Sequence, residues 1–308
     1  MQTHRWRRLA LLLGASLVLA CCSASPDAGA AARPRPATTG TATSGGDAAR
    51  PTATGGAART TATPVVTPPP VGARADYQLG GAYAPARGVG VVTRDRTEPP
   101  ARGVYSVCYV NAFQTQPQEA AWWRRHHPDL LLRDGRGRTV EDEGWPGELL
   151  LDTRTAATRA GVAAVVGGWL DGCAAKGYRA VELDNLDSWL RSGGRLTTGG
   201  NLALAQLLAR RAHARGLAVA QKNAPELTRS QVRTAGFDFA VAEECEVYDE
   251  CDAYTAVHGR RVVEIEYTDN GRAAFRRACA ERGGRVSVLL RDRDVVPRGE
   301  PGYVSQTC

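Results

Sequence analysis

Lysine is nearly missing from this 308-residue sequence: two Lys, at 176 and 222, stand against 37 Arg. Where Arg is the default cation, a lone Lys at the end of a β-rich run marks a place that needs a compact point charge rather than a planar fork. Histidine is scarce as well, and none of the five (4, 126, 127, 213, 258) falls at such an end, which argues against a zinc enzyme. No pair of CxxC motifs offers a structural zinc site, and no glycine-rich phosphate loop follows the first β-rich run. The apolar runs are short. The longest, of about 11 residues from Leu9 to Leu19, falls well below the length that crosses a bilayer, so a polytopic membrane protein is excluded. The formal charge of +7 suggests a nucleic-acid partner, but eight Arg and two acids lie within residues 1–75, leaving 31 basic and 30 acidic residues beyond. The folded part is nearly neutral, and no nucleic-acid partner is expected.

What is present begins with an address. Arg5, Arg7 and Arg8 precede the Leu9–Leu19 run, and Val18-Leu19-Ala20-Cys21 looks like a bacterial lipobox, with Cys21 as the lipidated residue. Residues 1–22 are therefore read as a signal peptide. The chain is expected to be exported and held at the outer face of the cell membrane by a lipid anchor only, or secreted if it is not lipidated. Residues 23–75, rich in Ala, Thr, Pro and Gly, bury too little to offset ordering entropy and are expected to form a disordered linker. Six Cys remain beyond it (108, 173, 245, 251, 279, 308), an even number that suggests three disulfides in an exported chain. Cys245 and Cys251 form the best local pair, and the other connectivities stay open.

From residue 76 to 308, β-rich runs alternate with helical patterns. The runs are Tyr77–Leu79, Gly88–Thr93, Val104–Ala112, Leu149–Asp152, Tyr178–Asp184, Leu217–Lys222, Phe237–Glu243, Val262–Tyr267 and Val286–Leu290. Thr158–Lys176 and Leu202–Arg215 are the clearest helices, each followed by a Gly suited to the C-cap. The recurring order of helix, Gly and buried strand predicts an α/β fold, a (β/α)8 TIM-type barrel with one of the nine runs outside it. It is expected to act as a monomer.

Barrel active sites lie at the C-terminal ends of the strands. Those ends carry Asp152, then Glu182, Asp184 and Asn185, then Lys222 and Asn223, then Glu243 and Glu244, then Glu266 and Tyr267. Carboxylates are costly to bury, so this many at one rim need a reason. Period two turns Glu182 and Asp184 to the same face and forces Glu243 and Glu244 to opposite faces. Two carboxylates across a cleft are the equipment of glycoside hydrolysis, one protonating the leaving oxygen while the other attacks or activates water. Trp122, Trp123, Trp145 and Trp189 follow strands, and such rings stack on sugars; Trp189, five residues after Asp184, is the leading candidate. Two rivals keep the same residues: a non-catalytic carbohydrate-binding barrel, and a metal-dependent phosphodiesterase in which Asp152, Glu182, Asp184 and Glu243 hold Mg²⁺ or Ca²⁺.

Several segments, taken in order, resemble the endo-α-1,4-polygalactosaminidase family, glycoside hydrolase family 114. They are Trp145-Pro-Gly-Glu-Leu-Leu-Leu-Asp-Thr-Arg154, Gly177-Tyr-Arg-Ala-Val-Glu-Leu-Asp-Asn185, Ala214-Arg-Gly-Leu-Ala-Val-Ala-Gln-Lys-Asn223, Phe237-Asp-Phe-Ala-Val-Ala-Glu-Glu-Cys245 with Tyr248 and Cys251, and Glu266-Tyr267. The resemblance implies a (β/α)8 endo-glycosidase without cofactor or metal, acting on a cationic or amino-sugar polysaccharide. It puts the catalytic pair on Asp184, as nucleophile, and Glu243, as acid/base. Asp152, Glu182, Asn185, Lys222, Asn223 and Tyr267, with Trp189, are then expected to bind substrate. The chain departs from the family pattern at Asp76-Tyr-Gln-Leu, at Asn111-Ala-Phe113, and at Ala242 and Glu244 around Glu243. A carboxylate-rich cleft in a near-neutral domain would attract a cationic polymer.

Overall fold

The structure, a computed structural model, describes residues 64–308; the expected signal peptide, Cys21 and the linker up to residue 63 lie outside the described residues. Eight parallel strands neighbour one another in chain order: β1 (Arg74–Gln78), β2 (Val89–Asp95), β3 (Tyr105–Asn111), β4 (Ala180–Asp184), β5 (Ala218–Lys222), β6 (Phe239–Glu243), β7 (Val262–Tyr267) and β8 (Ser287–Arg291). A short β9 (Ser305–Thr307) runs antiparallel to β8. The sheet curls into a nearly closed barrel, in which the Arg291 guanidinium on β8 donates to the Tyr77 carbonyl on β1 and Gly80 N donates to the Val295 carbonyl at 3.2 Å. β1 begins at Arg74, and upstream of it the Thr67 carbonyl already accepts from Tyr105 Oη at 2.6 Å.

Helices α1 (Ala120–His126), α2 (Ala156–Lys176), α3 (Thr198–Ala214), α4 (Arg229–Ala235), α5 (Cys251–His258) and α6 (Ala273–Arg282) separate the strands from β3 onward. Local chemistry sets their ends. Thr155 and Thr158 satisfy each other's backbone N–H at the start of α2, and Thr228 and Gln231 do so for α4. Gly177 (φ 96°) and Gly236 (φ 88°) end the same helices in the left-handed conformation that glycine adopts most easily, and the chain turns into the next strand.

Period two sorts each strand into an inner and an outer face. Ala180, Ala218, Ala220, Phe239, Val241, Val263 and Ile265 fill the barrel as one apolar cluster, while Val181, Leu183 and Val219 turn outward against α2 and α3. The inner positions thus run from apolar at the bottom to Asp184, Lys222, Glu243 and Tyr267 at the top.

Leu149–Asp152 is the run outside the barrel. Its residues form isolated antiparallel bridges, Gln114 with Leu150, Leu131 with Leu151 and Glu141 with Leu149, in the long excursion between β3 and α2. The physical reason is that the segment is apolar on every residue but the last, which suits burial in a loop-built layer as well as in a parallel strand. Three disulfides form: the expected Cys245–Cys251, Cys108–Cys173 joining β3 to α2, and Cys279–Cys308 joining α6 to the residue after β9.

Candidate active site

Three consecutive strands end in the same way. Asp184, Lys222 and Glu243 are the last residues of β4, β5 and β6, and each is followed by a residue in the left-handed region: Asn185 (φ 64°), Asn223 (φ 50°) and Glu244 (φ 58°). Asn tolerates that conformation better than most residues, which accounts for its place after two of the three strands. The sharp turn leaves the last side chain of each strand aimed at the mouth.

Lys222 is the hub. Its ammonium lies 2.9 Å from Asp184 Oδ1, 3.1 Å from Glu182 Oε1 and 3.3 Å from Glu243 Oε2, and it donates to Tyr77 Oη at 3.3 Å. Burial alone would drive the proton off, but Asp184 and Glu243, with Tyr77 and Glu182, more than reverse this and hold the amine charged. The position between the carboxylates that a divalent cation would occupy is therefore filled by an ammonium.

Each carboxylate has a separate set of partners. Asp184 Oδ2 accepts from Tyr109 Oη at 2.6 Å and from Asn185 Nδ2 at 3.3 Å. Burial pushes its carboxyl up, yet the Lys222 charge and hydrogen bond, with that of Tyr109, bring it below the ordinary aspartate value. Glu243 Oε1 accepts from Tyr267 Oη at 2.5 Å, and Oε2 from Asn223 Nδ2 at 3.0 Å, while Asn223 Oδ1 takes the Glu243 backbone N–H. Glu182 accepts from Tyr77 Oη at 2.6 Å through Oε1, and its Oε2 is buried without a partner. Burial raises its pKa to about 7, with Asp184 and Glu243 adding to the rise.

Exposure separates these groups. The Asp184 and Glu243 side chains are 15% and 23% exposed, whereas Lys222 is 3% and Glu182 0%. Only the first two of the four can touch a substrate to any extent; Glu182, expected to line a subsite, lies beneath Lys222 and Tyr77. Asp152 is also displaced from its expected role. It belongs to the loop-built layer, and both of its oxygens accept from the Arg154 guanidinium. Trp189 is buried among core residues on a 3-10 turn (Ser188–Arg191) and offers little open face for a sugar. The exposed rings are those of Trp145 and Trp122. Asn185 donates to Asn111 Oδ1 at 2.8 Å and accepts from Arg191 Nη2 at 2.8 Å, bracing the turn after Asp184. Glu244, beyond the end of β6, accepts from Arg293 and Asn270 in the segments after β8 and β7 and is not among the Lys222 partners.

Three contributors were not singled out by the sequence: Tyr77, Tyr109 and Glu148. Tyr109 sits opposite Glu182 in the β3–β4 register, two pairs below Asn111 and Asp184. The signal for both tyrosines was their inward parity near strand ends. Glu148 accepts from Asn111 Nδ2 at 3.0 Å and from Gln114 Nε2 at 2.6 Å.

The glycoside-hydrolase family GH114 matches residues 55–308, and the chain belongs to it. None of the curated proteins matches the chain. Among solved structures, Ega3 of Aspergillus fumigatus, crystallised in complex with galactosamine, is similar at 22% identity and a TM-score of 0.62, covering 80% of this chain and 100% of its own. The glycoside hydrolase domain of PelA from Pseudomonas aeruginosa is similar at 16% identity and a TM-score of 0.53, covering 74% of this chain and 97% of its own. At these identities the two structures speak for a shared barrel.

Proposed function

We propose that this GH114 glycoside hydrolase is an exported endo-glycosidase that cleaves α-1,4-linked galactosamine-type polysaccharide with Asp184 and Glu243 as its carboxylate pair. The observation that carries the reading is the Lys222 ammonium bound at once to both carboxylates, the two members of the buried cluster that reach solvent. The galactosamine held by the similar Ega3 structure supports an amino sugar as substrate. Three disulfides support an oxidising compartment, in keeping with an address at Cys21 outside the described residues.

Asp184 suits the nucleophile, since Lys222 and Tyr109 keep it ionised. Glu243 suits the acid/base, protonating the leaving glycosidic oxygen as Asp184 bonds to the anomeric carbon and then taking a proton from the water that releases the sugar. Asp184 Oδ1 and Glu243 Oε2 can be no farther apart than their two distances to Lys222 laid end to end, about 6.2 Å, below the roughly 6.5–9.5 Å typical of inverting enzymes. The limit applies to the two oxygens that face Lys222, and on that side it favours retention of configuration.

The test is incubation of wild type, Asp184→Asn and Glu243→Gln with partly de-acetylated α-1,4-galactosamine oligomers, products being read by mass and the first-formed anomer by proton NMR. Wild type should release shorter oligomers with the α-anomer first, and both variants should lose turnover while still binding. Unchanged product formation by either variant overturns the assignment of the pair.

A further inference from the structure

Glu148 stands apart among the acids around the mouth. Asp184 and Glu243 share Lys222, Asp142 pairs with Arg191 at 2.5 Å, and Asp152 pairs with Arg154 at 2.6 Å. Among the described residues no Lys, Arg or His pairs with Glu148. Its hydrogen bonds are confined to one oxygen, Oε2, which takes both the Gln114 and the Asn111 amides. Oε1 has no hydrogen-bond partner among the described residues, and the side chain is half-buried rather than free in solvent. Burial raises its carboxyl pKa, and the charges of Asp184 and Asp142 raise it further. Gln114, buried and bonded to Glu148 through its amide nitrogen, leaves its own Oε1 without a partner. An acceptor-rich corner that lacks a cation is thus held in place beside Asp184 by two amide side chains.

The corner also lies on a particular side of Asp184. Asn111 pairs with Asp184 across β3 and β4, so Glu148 flanks Asp184 on the β3 side, and Lys222 flanks it on the β5 side. A positively charged sugar substituent is repelled by the Lys222 ammonium and attracted to the other flank. In galactosamine the amino group is on C2, next to the anomeric carbon, so a sugar poised over Asp184 must place its ammonium close to that residue. We infer that Glu148 binds the ammonium of the amino sugar seated over Asp184 and thereby selects de-acetylated units. N-acetylation removes the charge and leaves the Glu148 carboxylate facing a neutral amide. The inference rests on the galactosamine-type substrate proposed above.

The experiment compares wild type with Glu148→Gln on fully de-acetylated and fully N-acetylated α-1,4-galactosamine oligomers. Calorimetric binding of free galactosamine and N-acetylgalactosamine to both proteins, and their melting temperatures, are measured in parallel. Wild type should favour the de-acetylated oligomer. The variant should lose roughly 10- to 100-fold in kcat/KM on that oligomer, mostly through KM, with the acetylated oligomer unaffected, the loss expected for one hydrogen bond to a charged group. A loss shared by both oligomers overturns the inference and makes Glu148 a support for Asn111. If wild type cleaves neither oligomer, the proposed substrate is wrong, and calorimetry decides on Glu148 alone: equal galactosamine binding by the two proteins overturns its role, and a selective loss in the variant sustains it.

Discussion

Lys222 Nζ lies 2.9 Å from Asp184 Oδ1 in a site where the two strands otherwise turn Glu182 and the small residues Ala180, Ala218 and Ala220 inward. Removing one partner of a buried ion pair costs about 3–5 kcal/mol, because the remaining charge stays buried and uncompensated. Lys222→Met would leave Glu182, Asp184 and Glu243 facing one another. Asp184 is held below its ordinary pKa, so its ionisation adds stability above the unfolded value that is lost as pH falls through the folded one. In the variant the effect of burial is no longer offset, and the sign reverses. We expect a drop of that size in urea-unfolding stability at pH 7 and an acid limb of the pH–rate profile moved upward. Lys222→Arg should not restore either, because a planar guanidinium does not fit where one nitrogen meets three carboxylates. An acid limb unchanged in Lys222→Met would show that Lys222 does not control Asp184.

Tyr267 Oη and Asn223 Nδ2 fix the two oxygens of Glu243 at 2.5 and 3.0 Å. The phenol is itself raised well above its usual pKa, by burial first and then by the Glu243 charge, so it remains a donor throughout the working range. Losing one hydrogen bond to a charged group corresponds to about 1.5–3 kcal/mol. Tyr267→Phe should lower kcat by roughly 10- to 100-fold with little change in KM, since the phenol is buried and its hydroxyl is given to Glu243. Steady-state kinetics decide it: a change confined to KM would make Tyr267 a binding residue instead.

The barrel was legible because its outer helices and inner strands repeat a strong local grammar. Gly177 stops a helix, and the five-residue strand Ala180–Asp184, buried on both faces up to its last residue, follows it. Glu243 ends its strand beside Lys222, while Glu244 turns off the strand to Arg293 and Asn270. What parity does not convey is depth and tertiary company. Leu149–Asp152 reads as a strand because every residue but the last is apolar, yet its partners are Gln114, Leu131 and Glu141 in a loop layer, so Asp152 ends up with Arg154. Trp189 reads as a platform from its spacing to Asp184, but on its 3-10 turn the ring is buried among core residues. Tyr77 and Tyr109 reach their carboxylates from strands more than seventy residues away in the chain, a relation that no local pattern carries.

The two tryptophans should therefore behave in opposite ways. Trp145 is 56% exposed and Trp189 8%. Trp145→Ala removes a ring that packs on little of the protein, and its melting temperature should stay within about a degree of wild type, because surface changes usually fall within ~0.5 kcal/mol. Binding of long oligomers should weaken by a few-fold if the ring stacks on a sugar. Trp189→Ala should cost about 3–5 kcal/mol of unfolding free energy, the range for large aromatics in a core. Denaturant titration of both variants, alongside oligomer binding, checks the pair. A stable Trp189→Ala protein with weakened binding would return that residue to the substrate path.

Glu266 supplies a stability test away from the mouth. Its side chain points to the outer face of β7, where Oε1 accepts from the Glu246 backbone N–H at 3.0 Å and Oε2 is buried without a partner. Burial raises its pKa to about 7, with the Glu264, Glu244 and Glu246 charges adding to the rise. The folded state holds this proton more tightly than the unfolded chain does. The contribution is thus fully present below the unfolded value of about 4.5 and is lost as pH rises through about 7. A shift of this size corresponds to on the order of 2–3 kcal/mol between the two ends. Glu266→Gln cannot ionise, so the difference in stability between variant and wild type should move in the variant's favour by up to that amount from pH 4.5 to pH 8. Turnover should be unchanged, since Glu266 contacts none of Asp184, Lys222 and Glu243. Urea-unfolding curves of the two proteins across that range provide the measurement, and a difference independent of pH would mean that Glu266 titrates like a solvent-exposed carboxyl.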